Sequence, residues 1–135
     1  MAQAMIREAH VSNPPTVPRQ SQPTFLFVCK DGPTAPEMRL EHLAGHLAHV
    51  EAHWQSYVTA GPLKAPGSAK IHGSCLIVCA DNEEAAWAIM RGDPYFTCEM
   101  FASIEVHDMT MSIGLYPGGK IWESLDSVRE RANGG

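Results

Sequence analysis

Four of the seven histidines, His42, His46, His49 and His53, follow one another at intervals of four, three and four residues. At about 100° of rotation per residue, that spacing sets them on one stripe of a helix. Two chemistries suit such a stripe. Imidazoles one turn apart hold zinc when a third donor arrives from elsewhere and neighbouring groups fix the ring tautomers, so His42, His46 and His49 form a candidate zinc set. A single imidazole also takes up and releases a proton near neutral pH, as general acid–base catalysis requires. A plain solvated helix border would show the same spacing, because bare histidines at helical intervals lack the specificity of a motif such as HExxH.

Asp93, between Gly92 and Pro94, occupies a position where an aspartate often serves only the turn. If the fold carries that turn to the helix, its carboxylate can hydrogen-bond one of the stripe's histidines, orient the ring and support its protonated form. Spacing alone does not say which histidine. Gly61-Pro62 offers backbone groups and Tyr95 a hydroxyl to a polar ligand, although Gly-Pro commonly just ends a strand and a tyrosine hydroxyl commonly finds water. The four cysteines make no CxxC pair, and Cys29, Cys75 and Cys79 stand inside apolar runs, as reduced core thiols do. The sequence has no phosphate-loop, dinucleotide or nucleophile-elbow motif.

The elements that must position these residues are legible in outline. Residues 1–23 carry Pro14, Pro15, Pro18 and Pro23 among polar residues, which suits an extended arm. Thr24–Lys30 is aromatic and β-branched and closes on Asp31-Gly32-Pro33, a strand and a turn. Thr34 and Glu37 have capping-box spacing ahead of a helix over about Pro36–Trp54, whose apolar stripe is Leu40, Leu43, Leu47, Val50 and Trp54. Tyr57–Ala60 predicts a short strand stopped by Gly61-Pro62, with Ile71–Ala80 as its hairpin partner. Asp81–Glu84 opens a second helix that ends at Gly92, and Met100–Asp108 alternates as a half-buried strand does. Ile121–Arg131 has the pattern of a last amphipathic helix. The domain reading is therefore an arm at 1–23, an α+β domain at 24–116 and a tail at 117–135.

The order βαββαβ is the ferredoxin-like plan, an antiparallel sheet with both helices on one face. Following the alternating strand directions, the start of the first helix, the Gly61-Pro62 end of the second strand and the Asp93-Pro94 turn all reach one edge of the sheet. A site drawn from them would be a cleft there. Composition narrows the partners: 135 residues suit one domain, and ten Lys and Arg against fifteen Asp and Glu leave no basic surface for nucleic acid. No apolar stretch approaches the ~20 residues a membrane span needs, and the first nineteen residues lack a signal peptide's apolar region. The expected setting is cytoplasmic.

Arg39-Leu40, His46-Leu47-Ala48, Thr59-Ala60-Gly61-Pro62-Leu63, Gly73-Ser74, Asn82-Glu83-Glu84-Ala85-Ala86, Asp93-Pro94-Tyr95 and Ile104-Glu105-Val106 occur in that order across about residues 24–110. Together they resemble the YCII-related family of the dimeric α+β barrel superfamily. The resemblance implies a site made of a first-helix histidine and an aspartate before Pro-Tyr or Pro-Phe, which here are His46 and Asp93, with Arg39 matching an arginine earlier on the helix. It further implies small cyclic or aromatic substrates, dechlorination of a hydroxylated chloroaromatic being one activity among related members. His42, His49 and His53 fall outside that pattern.

The expectation is an enzyme of lyase, isomerase or dehalogenase type in which His46 moves a proton and Asp93 holds the imidazole. Arg39, Gly61, Pro62 and Tyr95 would receive the substrate, Arg39 by attracting an anionic or phenolic group. The alternative is a non-catalytic cleft for a small ligand or a metal, and no cofactor beyond zinc is expected. Because such a sheet has one helix-free face, a homodimer joined through these faces is expected to cover Phe25, Phe27 and Cys29 or their alternating neighbours.

Overall fold

The computed structural model describes residues 22–117, 119–120 and 122–134, so the arm expected over 1–23 lies almost wholly outside the described residues. The chain divides into two compact units, one being Gln22–Thr110 and the other containing Met111–Gly135. The first runs β1 (Thr24–Asp31), α1 (Ala35–Glu41), α2 (Leu43–Ala52), a 3-10 turn at Trp54–Ser56, β2 (Tyr57–Lys64), β3 (Ile71–Cys79), α3 (Glu83–Arg91), α4 (Pro94–Thr97) and β4 (Phe101–Asp108). Its strands form one antiparallel sheet in the order β2-β3-β1-β4. This is the α+β, ferredoxin-like arrangement expected. The second unit holds a small hairpin, β5 (Ile113–Gly114) with β6 (Gly119–Lys120), and the helix α5 (Leu125–Gly134).

Register decides which side chains meet the helices. Phe25, Phe27 and Cys29 on β1 lie opposite Val78, Leu76 and Ser74 on β3, and Phe27 and Cys29 lie opposite Val106 and Ile104 on β4. Alternation places all of them on one face. Phe25, Phe27, Cys29, Leu76 and Val78 are buried there against Ala86 and Met90 of α3, and Trp87 and Phe96 meet Phe27 edge-on at ring separations of 5.0 and 6.2 Å. The other face carries Leu26, Val28, Cys75 and Ile77, each half-buried. Of the two sets named for the dimer face, it is thus the alternating neighbours that occupy the helix-free side.

Three local expectations are corrected. Thr34 sits in helical geometry and makes no side-chain cap, so the Thr34–Glu37 capping box does not form; α1 starts instead with Pro36 in its first turn, where the missing N–H is an orphan in any case. The long first helix bends at His42 (φ −102°, ψ 12°), yet the bonds from His42 N–H to Met38 and from His46 N–H to His42 carry the ladder across. The stripe therefore stays on one side. Third, β2 does not stop at Gly61-Pro62 but runs through it to Lys64, with Pro62 opposite Ser74. It is an edge strand, where a residue without an N–H removes no ladder bond from a neighbour. Asn82 does cap α3, accepting from Ala85 N–H at 2.8 Å.

Candidate active site

Two helix starts and one strand end converge beneath α2. Asp93 caps α4: its Oδ1 accepts from the Tyr95 backbone N–H at 2.9 Å, which aims the carboxylate before any partner arrives. His46 Nδ1 meets both oxygens of that carboxylate, at 3.0 and 2.8 Å. Asp93 is fully buried and the His46 side chain is 21% exposed. A carboxylate only accepts, so Nδ1 carries the proton and Nε2 is left with its lone pair. Of the four stripe histidines, the structure brings His46 to Asp93.

Tyr95 is the shelf under this imidazole. Its ring stacks on His46 with centroids 3.8 Å apart and planes within 5° of parallel, while its hydroxyl donates to the Arg39 carbonyl at 2.8 Å. Burial pushes that hydroxyl's pKa above the usual tyrosine value. The hydroxyl expected to meet a substrate is therefore already engaged, and Tyr95 orients the histidine instead.

Arg39 is likewise committed. Its Nε and Nη2 donate to the two oxygens of Asp31 at 3.0 and 2.7 Å, and Nη2 also reaches the Gly73 carbonyl and Ser74 Oγ at 3.2 and 3.0 Å. Such a two-pronged pair is rigid and its charge is matched. The arginine lines the cleft as half of an ion pair with Asp31. Asp31 was read only as a turn residue. Its signal was parity, since it continues the Phe25, Phe27, Cys29 alternation onto the helix face, and a bulge at Lys30/Asp31 turns the strand end there.

The cleft itself has a volume of about 890 Å³ and lies between α1 and α2 on one side and β2 and β3 on the other. His46, Arg39, Gly61, Pro62 and Tyr95 all line it, so the sequence-derived residues meet at one edge. Leu43, Leu47, Val50 and Trp54 form its apolar wall, and α2 has no buried residue at all. Tyr57 adds a hydroxyl that is buried with no partner among the described residues, its pKa pushed up to about 12 by desolvation.

The zinc set does not assemble. His46 Nδ1 is taken by Asp93, His49 lies against Gly92, and among the described residues no three His, Cys, Asp or Glu side chains converge on a metal position. His49 was a member of the stripe whose real neighbours could not be foreseen. Burial lowers its pKa, as do His53 and His46 nearby, against the opposing pull of Asp93 and a hydrogen bond to the Ile89 carbonyl.

A family model described as YCII-related domain matches residues 24–110. Among solved structures, the chain is similar to the 5-chloro-2-hydroxyhydroquinone dehydrochlorinase of Burkholderia phenoliruptrix in complex with 2,5-dihydroxybenzoquinone, at 26% identity and a TM-score of 0.60. That likeness covers 68% of this chain and 96% of the dehydrochlorinase. No curated protein matches the chain.

Proposed function

The chain belongs to the YCII-related family, and on that premise we propose that it is a small-molecule enzyme whose proton-transferring group is His46 and whose positioning carboxylate is Asp93. The observation that carries this reading is the fixed imidazole: Nδ1 bonded to a buried carboxylate, the ring stacked on Tyr95, and Nε2 the nitrogen left for a ligand in the cleft. The substrate class is a small cyclic or aromatic compound bearing hydroxyl or keto oxygens. Its ring packs on the Leu43, Leu47 and Val50 wall, and a polar edge faces His46. Gly61 and Pro62 shape the opposite rim.

Nε2 accepts a proton from the substrate, and the resulting imidazolium is stabilised by Asp93. In an elimination, the electron pair of the broken bond to hydrogen becomes a new π bond, and the leaving group departs with the pair of its own bond. In an isomerisation, the same imidazolium returns the proton at a second atom. The protein would work as a homodimer through the helix-free face of Leu26, Val28, Cys75 and Ile77. A cytoplasmic setting fits its four free cysteines, and no helix of the described residues is long and apolar enough to cross a membrane.

The test uses hydroxylated aromatic acids, hydroxyquinones and their chlorinated forms, with binding read by thermal shift and turnover by chromatography. Turnover by the native chain that His46→Ala abolishes supports the enzyme. Saturable binding without turnover of any compound would make the cleft a binding site only. Light scattering at micromolar concentration reads the dimer, and a monomer there ends that part of the proposal.

A further inference from the structure

The dyad is flanked by two contacts in which one partner is a glycine. Along α2, Gly45, His46 and His49 meet Pro94, Asp93 and Gly92 in turn, so the helix and the turn cross in antiparallel order. A Cβ on Gly92 would lie 2.8 Å from His49 Cε1 and 3.2 Å from its Nδ1, and one on Gly45 would lie 3.0 Å from Pro94 Cγ. Gly92 has φ −79°, so its glycine identity answers the approach of the His49 ring and not a left-handed backbone.

His49 is held from both ends of this crossing. Cε1 and Nδ1 are the ring atoms that face Gly92, and the Ile89 backbone of α3 lies beside them. Ile89 accepts from Gly92 N–H at 3.2 Å, and Met90 accepts from Asp93 N–H at 2.9 Å. The backbone that the ring faces therefore belongs to the turn that presents Asp93. On the solvent side His53 leans on the ring, at 4.5 Å between centroids.

The geometry points to His49 as a positioning residue: wedged on Gly92, it fixes the spacing between α2 and the Gly92–Asp93 turn and so the reach of His46 to Asp93. This rests on the reading of His46 and Asp93 as the proton-transfer pair. His49 takes no proton from substrate. It acts by keeping a bond of about 3 Å from lengthening, and misplacement of a catalytic group by ~1 Å costs on the order of 10²-fold in rate. The stripe is thereby divided, with His46 doing the chemistry and His49 gauging its distance.

A double-mutant cycle in the full-length protein tests this. Gly92→Ala should lower kcat by roughly 10- to 100-fold with KM little changed, because the added methyl lifts the ring and the turn apart. His49→Ala vacates the space, so Gly92→Ala on that background should have no further effect. His49→Gln, which keeps a long side chain against Gly92, should retain more activity than His49→Ala. The proton NMR titration of His46 reads the same displacement without substrate and should change in Gly92→Ala and in His49→Ala. Additive effects of the two alanine substitutions, or an unchanged His46 titration in both, overturn the inference. If Gly92→Ala does not fold, His49→Ala and His49→Gln decide it by the same titration. A His46→Ala variant with undiminished turnover instead overturns the proton-transfer reading, so the two failures are told apart.

Discussion

The two halves of the sheet's helix face each lie under a helix that turns apolar residues toward them, and they come to opposite ends. Over β1, β3 and β4, helix α3 closes down, burying Ala86 and Met90 completely against Phe27 and Val78. Over β2 and the adjoining part of β3, α2 stands off, and its apolar stripe stays open, with Leu43 at 44% and Leu47 at 46% exposure. One stripe is core and the other is the wall of a cleft. An apolar periodicity thus announces a surface that water disfavours without saying whether protein or ligand covers it. What holds α2 in its raised position is specific: His46 bonded to Asp93 and His49 packed on Gly92.

The sharpest way to separate the halves is through activity. His46→Ala should lower kcat by ~10²–10⁴-fold while the protein still folds, because the Asp93 carboxylate keeps the Tyr95 N–H as a partner. Asp93→Asn should also lower activity severely but still fold, because an amide oxygen can accept from Tyr95 N–H; unfolding of this variant in the absence of denaturant would show that the carboxylate is structural.

Next comes packing. Met90→Ala should cost about 2–5 kcal/mol in urea unfolding, whereas Leu47→Ala should cost under ~1 kcal/mol and act on ligand affinity instead. Equal costs would erase the distinction between core and cleft. At the cleft floor, Arg39→Met leaves Asp31 without its partner and should cost about 1.5–3 kcal/mol. Adding Asp31→Asn should recover part of that loss, and strict additivity would mean the ion pair is not coupled.

The smallest effects are those of pH on stability. Cys29 in the closed half is pushed by burial from 9.0 to about 12, and Tyr57 at the cleft from 10.0 to about 12. The folded chain favours both neutral forms, so their stabilisation is complete below pH 9 and is lost between about 9 and 12 as the unfolded chain ionises. His49 has the opposite sign. Its pKa is lowered from 6.5 mainly by burial, so stability falls as pH drops below 6.5 because the unfolded chain binds the proton more readily. Thermal melts of the native protein and His49→Gln should therefore agree at pH 8 and diverge at pH 5, with the variant less acid-sensitive. Parallel curves would remove His49 as the cause.

Much of this was legible in the order of residues. Alternation in Phe25, Phe27 and Cys29, the Asn82 cap and the Gly92-Asp93-Pro94 turn each follow from local chemistry, and the strand directions alone bring that turn to the first helix. What was hidden depended on contacts between distant segments. No spacing shows that Arg39 finds Asp31 and Ser74, that Tyr95 offers its ring to His46 and its hydroxyl to Arg39, or that His49 rests on a glycine forty-three positions away. Local rules misled at Gly61-Pro62, because a Gly-Pro pair ends a central strand but is harmless on an edge, and edge position is set by the whole sheet.

The stacking of His46 on Tyr95 also has a magnetic consequence. An imidazole lying parallel to a phenol ring at 3.8 Å sits within that ring's diamagnetic shielding cone, so its carbon-bound protons resonate upfield of where a histidine in open solvent would place them. None of the other five described histidines stacks on a described tyrosine. His46 thus carries its own spectral label in the native protein, and its bond to Asp93 and the arrival of a ligand can each be followed in one resolved signal without isotopic selection or chemical tagging.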